Sequence, residues 1–148
     1  MTSLPNCNGK IGTLGGSQGG ALSIVTSRLD SRVVATAIYF PALNDQEGYV
    51  EGRAGCWPHV FKNKDNRTTE KIETARYYDV ANFAQGLKAP VYFAYGYNDL
   101  TCPPTTSRAT YNVITAPKTL SIGENIGHWL YPEQYSAMWK WIIEELNK

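Results

Sequence analysis

The chain is poor in excess charge, in histidine and in any patterned cysteine, and each shortage closes off a class of function. Fourteen Lys and Arg stand against thirteen Asp and Glu, a formal net charge of +1 at pH 7. That leaves no long-range field to gather nucleic acid or an anionic membrane surface. The densest basic set, Lys62, Lys64, Arg67 and Lys71, is interleaved with acids and reads as a solvated face. No run approaches the roughly eighteen apolar residues that a membrane-crossing helix needs, and Met1 to Asn8 lack the charged-then-apolar order of a secretory signal. Neither a cytoplasmic nor an exported location follows. Cys7, Cys56 and Cys102 are odd in number and form no C-x-x-C pair, which argues against both a disulfide framework and a zinc site. The two histidines share no metal-ligand spacing with the aspartates, so no metal and no organic cofactor is expected. The glycines from Gly12 to Gly20 contain no G-x-G, and Gly20 is followed by Ala21 rather than Lys, so dinucleotide and P-loop readings fail.

What is present is an ordinary globular balance. The 148 residues are 43% hydrophobic and 18% charged, enough for one domain with a sizeable core. Lys10–Leu14, Val33–Phe40, Val91–Tyr95 and Thr119–Ile122 are short, mostly apolar runs of the kind that form buried parallel strands. Helical patterns lie between them. Gln18–Leu29 is expected to place Ala21, Leu22, Val25 and Leu29 on one side. Pro103 and Pro104 open a helix running to about Ile114. A last helix begins near Pro132, with Tyr135, Met138, Trp139, Ile142 and Leu146 as its core stripe. Strands alternating with helices predict an α/β sheet. The stretch from Ala42 to about Arg67, which holds Trp57-Pro58-His59, breaks the rhythm and is expected to be a functional loop or lid. Two short helices, Thr69–Tyr77 and Asp79–Gln85, are expected to follow it.

Gly15-Gly16-Ser17-Gln18-Gly19 reads G-x-S-x-G between the first strand and the first helix. In that setting the motif is a nucleophile elbow: a turn so sharp that its neighbours must be small, with a helix start behind the serine. A serine hydroxyl needs a base, and the base needs a third group to fix its tautomer. In α/β-hydrolase order the acid and then the histidine follow, each at a strand's C-terminal end. Asp99 lies just past the third strand and His128 just past the fourth, so Ser17, Asp99 and His128 are the candidate triad. His59 falls in the expected lid and reads as a packing residue; Cys102 reads as buried.

Ser17-Gln18-Gly19-Gly20, the run Arg76 to Ala84, Gly96-Tyr97-Asn98-Asp99-Leu100-Thr101-Cys102-Pro103-Pro104 and Gly127-His128 together resemble the acetyl xylan esterase / cephalosporin-C deacetylase family. This is carbohydrate esterase family seven, within the α/β-hydrolases. The likeness runs from about Lys10 to the C-terminus. It implies Ser17 as nucleophile, Asp99 as acid and His128 as base, with the Gln18 backbone N–H donating to the oxyanion. It implies an acetylated carbohydrate or other small ester as substrate, without cofactor. Trp57 and Tyr49 are candidate sugar-binding residues. Two departures stand out. Trp129 follows His128 where the family usually has glutamate, and the family's early strands and Arg-Gly-Gln motif have no counterpart before Met1. The expectation is one partial α/β-hydrolase domain over 1–148, the C-terminal half of the fold. It would be a mostly parallel sheet of about four strands with flanking helices, and a lid at 42–67. One edge of the first strand would then be bare, to be covered by self-association or by a complementing N-terminal half. A prolyl-oligopeptidase-like serine peptidase and a non-catalytic assembly piece stand as alternatives.

Overall fold

The computed structural model describes residues 4–148. Met1 to Ser3, the head of the stretch read above for a signal sequence, lie outside it. The four apolar runs become β1 (Ile11–Gly16), β2 (Val33–Tyr39), β3 (Val91–Gly96) and β4 (Lys118–Gly123). They lie in the order β1-β2-β3-β4, and every neighbouring pair is parallel. Parallel neighbours need crossovers, and helices supply them. These are α1 (Gln18–Leu29), then α2 (Thr69–Tyr78) and α3 (Val80–Ala84), then α4 (Pro104–Val113). A final helix, α5 (Pro132–Asn147), follows β4.

Local chemistry sets the helix ends. Pro104 and Pro132 occupy first-turn positions, where a missing N–H costs nothing. The Thr68 hydroxyl accepts from the Lys71 N–H at the start of α2, and the Asp79 carboxylate accepts from the Ala81 N–H at the start of α3.

Side chains alternate across the sheet as the two-residue strand period requires. Ile38, Val91, Phe93 and Tyr95 join Ala21, Ile24, Val80, Ala84, Leu87 and Ile114 in the larger core. Ala35, Ala37, Tyr92 and Ala94 face Met138 and Ile142 of α5 in the smaller one. The alanines leave room for α5 to approach the sheet closely.

Two helical faces differ from expectation. Leu22 and Leu29 are 57% and 71% exposed. Instead α1 turns Gly20, Ala21, Ser23, Ile24 and Ser27 inward. The elbow forces this choice: a Cβ at Gly20 would lie 3.1 Å from the Gly15 carbonyl oxygen and 3.2 Å from Pro41 Cα, so only a small-residue face fits. The buried Thr36 hydroxyl then meets Ser27 Oγ at 2.7 Å. In α5, Met138 and Ile142 are buried as expected, but Tyr135 and Trp139 remain about two-fifths exposed. A single helix crossing a narrow sheet covers one line of contact, and these two rings lie off it.

The segment 42–67 carries three 3₁₀ turns, Gln46–Tyr49, Val60–Lys62 and Lys64–Asn66. It is pinned by Asp79, whose carboxylate accepts from the N–H groups of Asp45 and Gln46 at 3.0 and 2.8 Å. Burial pushes the Asp79 carboxyl above its ordinary range, against the pull of these donors. Among the described residues no strand pairs with the outer side of β1.

Candidate active site

Ser17 stands between β1 and α1 with φ 54° and ψ −124°, a conformation costly for any residue but glycine. The two residues before it have to be glycine. A Cβ on Gly15 would run into the Gly19 carbonyl, and one on Gly16 would enter the Tyr39 ring. The end of β2 holds the turn by backbone alone. The Ser17 N–H donates to the Tyr39 carbonyl at 3.1 Å, and the Ala42 N–H donates to the Ser17 carbonyl at 2.9 Å.

Asp99 lies in the loop after β3, and is almost fully buried. One carboxylate oxygen, Oδ1, accepts from the N–H groups of Thr101 and Cys102, both at 2.8 Å. Such donors suit an ionised carboxylate and fix its orientation. The other oxygen, Oδ2, is 2.7 Å from His128 Nδ1. His128 Nε2 in turn lies 2.9 Å from Ser17 Oγ. The Asn98 N–H donates to the Ile126 carbonyl at 2.9 Å, tying the acid loop to the histidine loop. Gly96 allows this approach, since a Cβ there would collide with the Ile126 and Gly127 carbonyls. Three residues named from chain order and strand-end position therefore meet in one hydrogen-bonded line.

Gln18 opens α1, so its backbone N–H is among the first-turn donors that no helical carbonyl satisfies. Trp57 and Tyr49 share no hydrogen bond with the triad side chains. The Tyr49 hydroxyl meets His59 Nδ1 at 3.0 Å, an internal contact of the 42–67 segment. Trp57 leaves its indole 38% exposed, and its backbone N–H donates to the Thr101 carbonyl at 3.1 Å, joining that segment to the acid loop. Cys102 is fully buried; its contact with Cys56 and its burial push the thiol far above its ordinary range, which leaves it inert. Phe40, which no motif singled out, lays its ring against His128 with centroids 4.3 Å apart. No group of three or more His, Cys, Asp or Glu able to hold a metal ion occurs among the described residues.

Comparison with known proteins fits this geometry. The family model for acetyl xylan esterase (AXE1) matches residues 2–145. Acetyl esterase Axe7A of Xylanibacter ruminicola is 47% identical over 148 residues, covering 99% of this chain and 34% of that protein. The acetyl xylan esterase from Paenibacillus sp. R4 superposes with a TM-score of 0.83 at 33% identity, over 96% of this chain and 48% of that one. Acetyl Xylan Esterase 1 from Thermoanaerobacterium sp. JW/SL YS485 gives 0.84 at 26% identity, over 97% and 48%. An acylaminoacyl peptidase of Pyrococcus horikoshii, at 18% identity and a TM-score of 0.72, shares the fold. The chain thus spans about a third of the curated relative and about half of the two solved esterases. On residues 2–145, this chain belongs to the acetyl xylan esterase family.

Proposed function

We propose that this chain carries the hydrolytic centre of a serine esterase that removes small acyl groups, acetyl foremost, from carbohydrates. The observation that carries the reading is the continuous line Ser17 Oγ, His128 Nε2, His128 Nδ1, Asp99 Oδ2, with contacts of 2.9 and 2.7 Å. Ser17 Oγ attacks the ester carbonyl while His128 Nε2 takes its proton. Asp99 keeps the other imidazole nitrogen protonated and stabilises the imidazolium. The tetrahedral oxyanion forms at the start of α1, where the Gln18 N–H donates to it. Collapse expels the sugar hydroxylate, which takes the proton from His128, and leaves acetyl-Ser17. His128 then draws a proton from water, the hydroxide attacks the acyl carbon, and acetate departs as Ser17 regains its proton.

Residues 1–148 form one partial α/β-hydrolase domain in this reading. The segment 42–67 serves as its lid, and Trp57 offers an exposed ring on which a sugar can stack. Tyr49, occupied by His59, plays a supporting part. The second oxyanion donor comes from polypeptide that completes the sheet, docked on the outer edge of β1. That polypeptide is a second copy of this chain or a complementing N-terminal half. A site working with one donor would be slower by about 10²–10³.

Two substrates and a probe test the reading. Release of acetate from acetylated xylan, with covalent capture of Ser17 by a fluorophosphonate, is the expected result. Cleavage of a chromogenic peptide in preference to the acetyl ester would assign a peptidase instead. Failure of Ser17 to react with the fluorophosphonate would make the chain a non-catalytic assembly piece.

A further inference from the structure

We propose that Phe40 is a positioning residue that holds the imidazole of His128 in line with Ser17; this rests on the triad reading above. Phe40 follows directly on β2, and its φ of +34° lies in the left-handed region, where a bulky side chain is an outlier. Outliers of this kind persist only where the surroundings hold them, and they concentrate at functional sites. The surroundings here are on both sides of the residue. The Tyr39 carbonyl accepts from the Ser17 N–H at 3.1 Å, and the Ala42 N–H donates to the Ser17 carbonyl at 2.9 Å. The Phe40 N–H itself donates to the Ala94 carbonyl at 2.7 Å. With positions 39 and 42 both tied to Ser17, the chain has to turn between them. The turn delivers the Phe40 ring to His128, 4.3 Å between centroids and inclined by 46°. An extended backbone at residue 40 would continue β2 and carry the ring elsewhere.

The contact supplies what the triad hydrogen bonds lack. Both bonds to His128 lie at its ring nitrogens; with the Cβ–Cγ bond they set the plane of the imidazole, but they alone resist small tilts about its side-chain torsions. The Phe40 ring, packed against the imidazole at an inclination of 46°, adds a steric stop to those tilts. Phe40 is itself nearly buried and also abuts Tyr39, 4.9 Å between centroids, so it has little room to yield. One strand end thereby sets the backbone of the nucleophile and the plane of the base together. Phe40 touches no reacting atom; it acts through His128.

Phe40→Leu keeps an apolar side chain without a flat face, whereas Phe40→Tyr keeps the face. Two readouts follow these variants alongside wild type, Ser17→Ala and Asp99→Asn. One is the rate of Ser17 labelling by a fluorophosphonate; the other is the NMR line of the His128 Nδ1 proton shared with Asp99. Phe40→Leu is expected to slow labelling about 10–100-fold and to broaden the proton line, while Phe40→Tyr restores both. A side chain that merely fills the core would lower the unfolding temperature and leave the labelling rate of the folded protein and its proton line unchanged. Wild-type labelling and an unchanged line in Phe40→Leu would overturn the inference with the triad intact. Labelling that persists in Ser17→Ala, or a line that persists in Asp99→Asn, would instead remove the triad reading and this inference with it.

Discussion

β1 leads directly into Ser17 and β3 into the loop of Asp99, and the two strands are built in opposite ways. All six residues of β3 are buried, and it pairs with β2 on one side and β4 on the other. Among the described residues β1 pairs with β2 alone, and only Gly15 of its six residues is buried. The loop of Asp99 therefore hangs from a strand fixed by packing, while Ser17 follows a strand fixed mostly by hydrogen bonds. Side-chain burial places Asp99; the backbone of the β2 turn and the small size of Gly15 and Gly16 place Ser17. Damage to the two sides should look different, through loss of fold on one and loss of aim on the other.

The largest effect is expected where the two sides meet. Asp99→Asn keeps the shape and the buried position but turns an N–H₂ or a neutral oxygen toward His128, removing the group that fixes its tautomer. Acyl hydrolysis should fall by about 10⁴-fold with little change in unfolding temperature. A loss below tenfold would mean that Asp99 caps its loop and nothing more. Next comes the packed side. Phe93→Ala empties a fully buried site on β3 and should cost about 3–5 kcal/mol in denaturant unfolding. A cost under 1 kcal/mol would show that β3 is no more fixed than β1.

On the open side, Gly16→Ala drives a methyl group into the Tyr39 ring. Its cost is expected to be about 1–3 kcal/mol, with a loss of Ser17 labelling beyond what the folded fraction explains. Equal labelling per folded molecule would contradict the claim that backbone aim is the weak point there. The smallest effect belongs to the exposed pair Asp30–Arg32 at the end of α1. Hydrogen bonds from Arg32 hold the Asp30 carboxyl down to about 2, against 3.8 unperturbed. A depressed carboxyl stabilises the fold above its unfolded pKa and loses that contribution as pH falls from about 4 toward 2. The slight advantage of wild type over Asp30→Asn in unfolding temperature should accordingly vanish over that interval. A gap that widens with acid would reverse the sign.

The same contrast explains what was legible in the sequence. β2 and β3 were readable because β-branched and aromatic runs advertise burial. β1 and β4, expected to be buried as well, bury only Gly15 and Gly123. The proline-marked helix starts fell within a residue or so of Pro104 and Pro132. That Ser17, Asp99 and His128 would be neighbours was readable because motif and strand-end position both survive in one dimension. The face of α1 was not, and that of α5 was legible only at Met138, Ile142 and Leu146. Leu22 and Leu29 carry the hydrophobicity of α1, yet the close approach at Gly20 selected the small-residue face, a steric fact that periodicity does not contain. Phe40 was invisible for a similar reason. A positive φ at glycine announces itself, but at Phe40 and Leu43, whose N–H groups donate to the Ala94 and Trp57 carbonyls, no local pattern records it.

The central claim is that Ser17 is a working nucleophile served by His128. Turnover of p-nitrophenyl acetate by wild type and by Ser17→Ala, corrected for reaction with surface nucleophiles, tests it most directly. Catalytic release of p-nitrophenol in wild type and background release alone in Ser17→Ala are expected. Equal rates in the two proteins would contradict it.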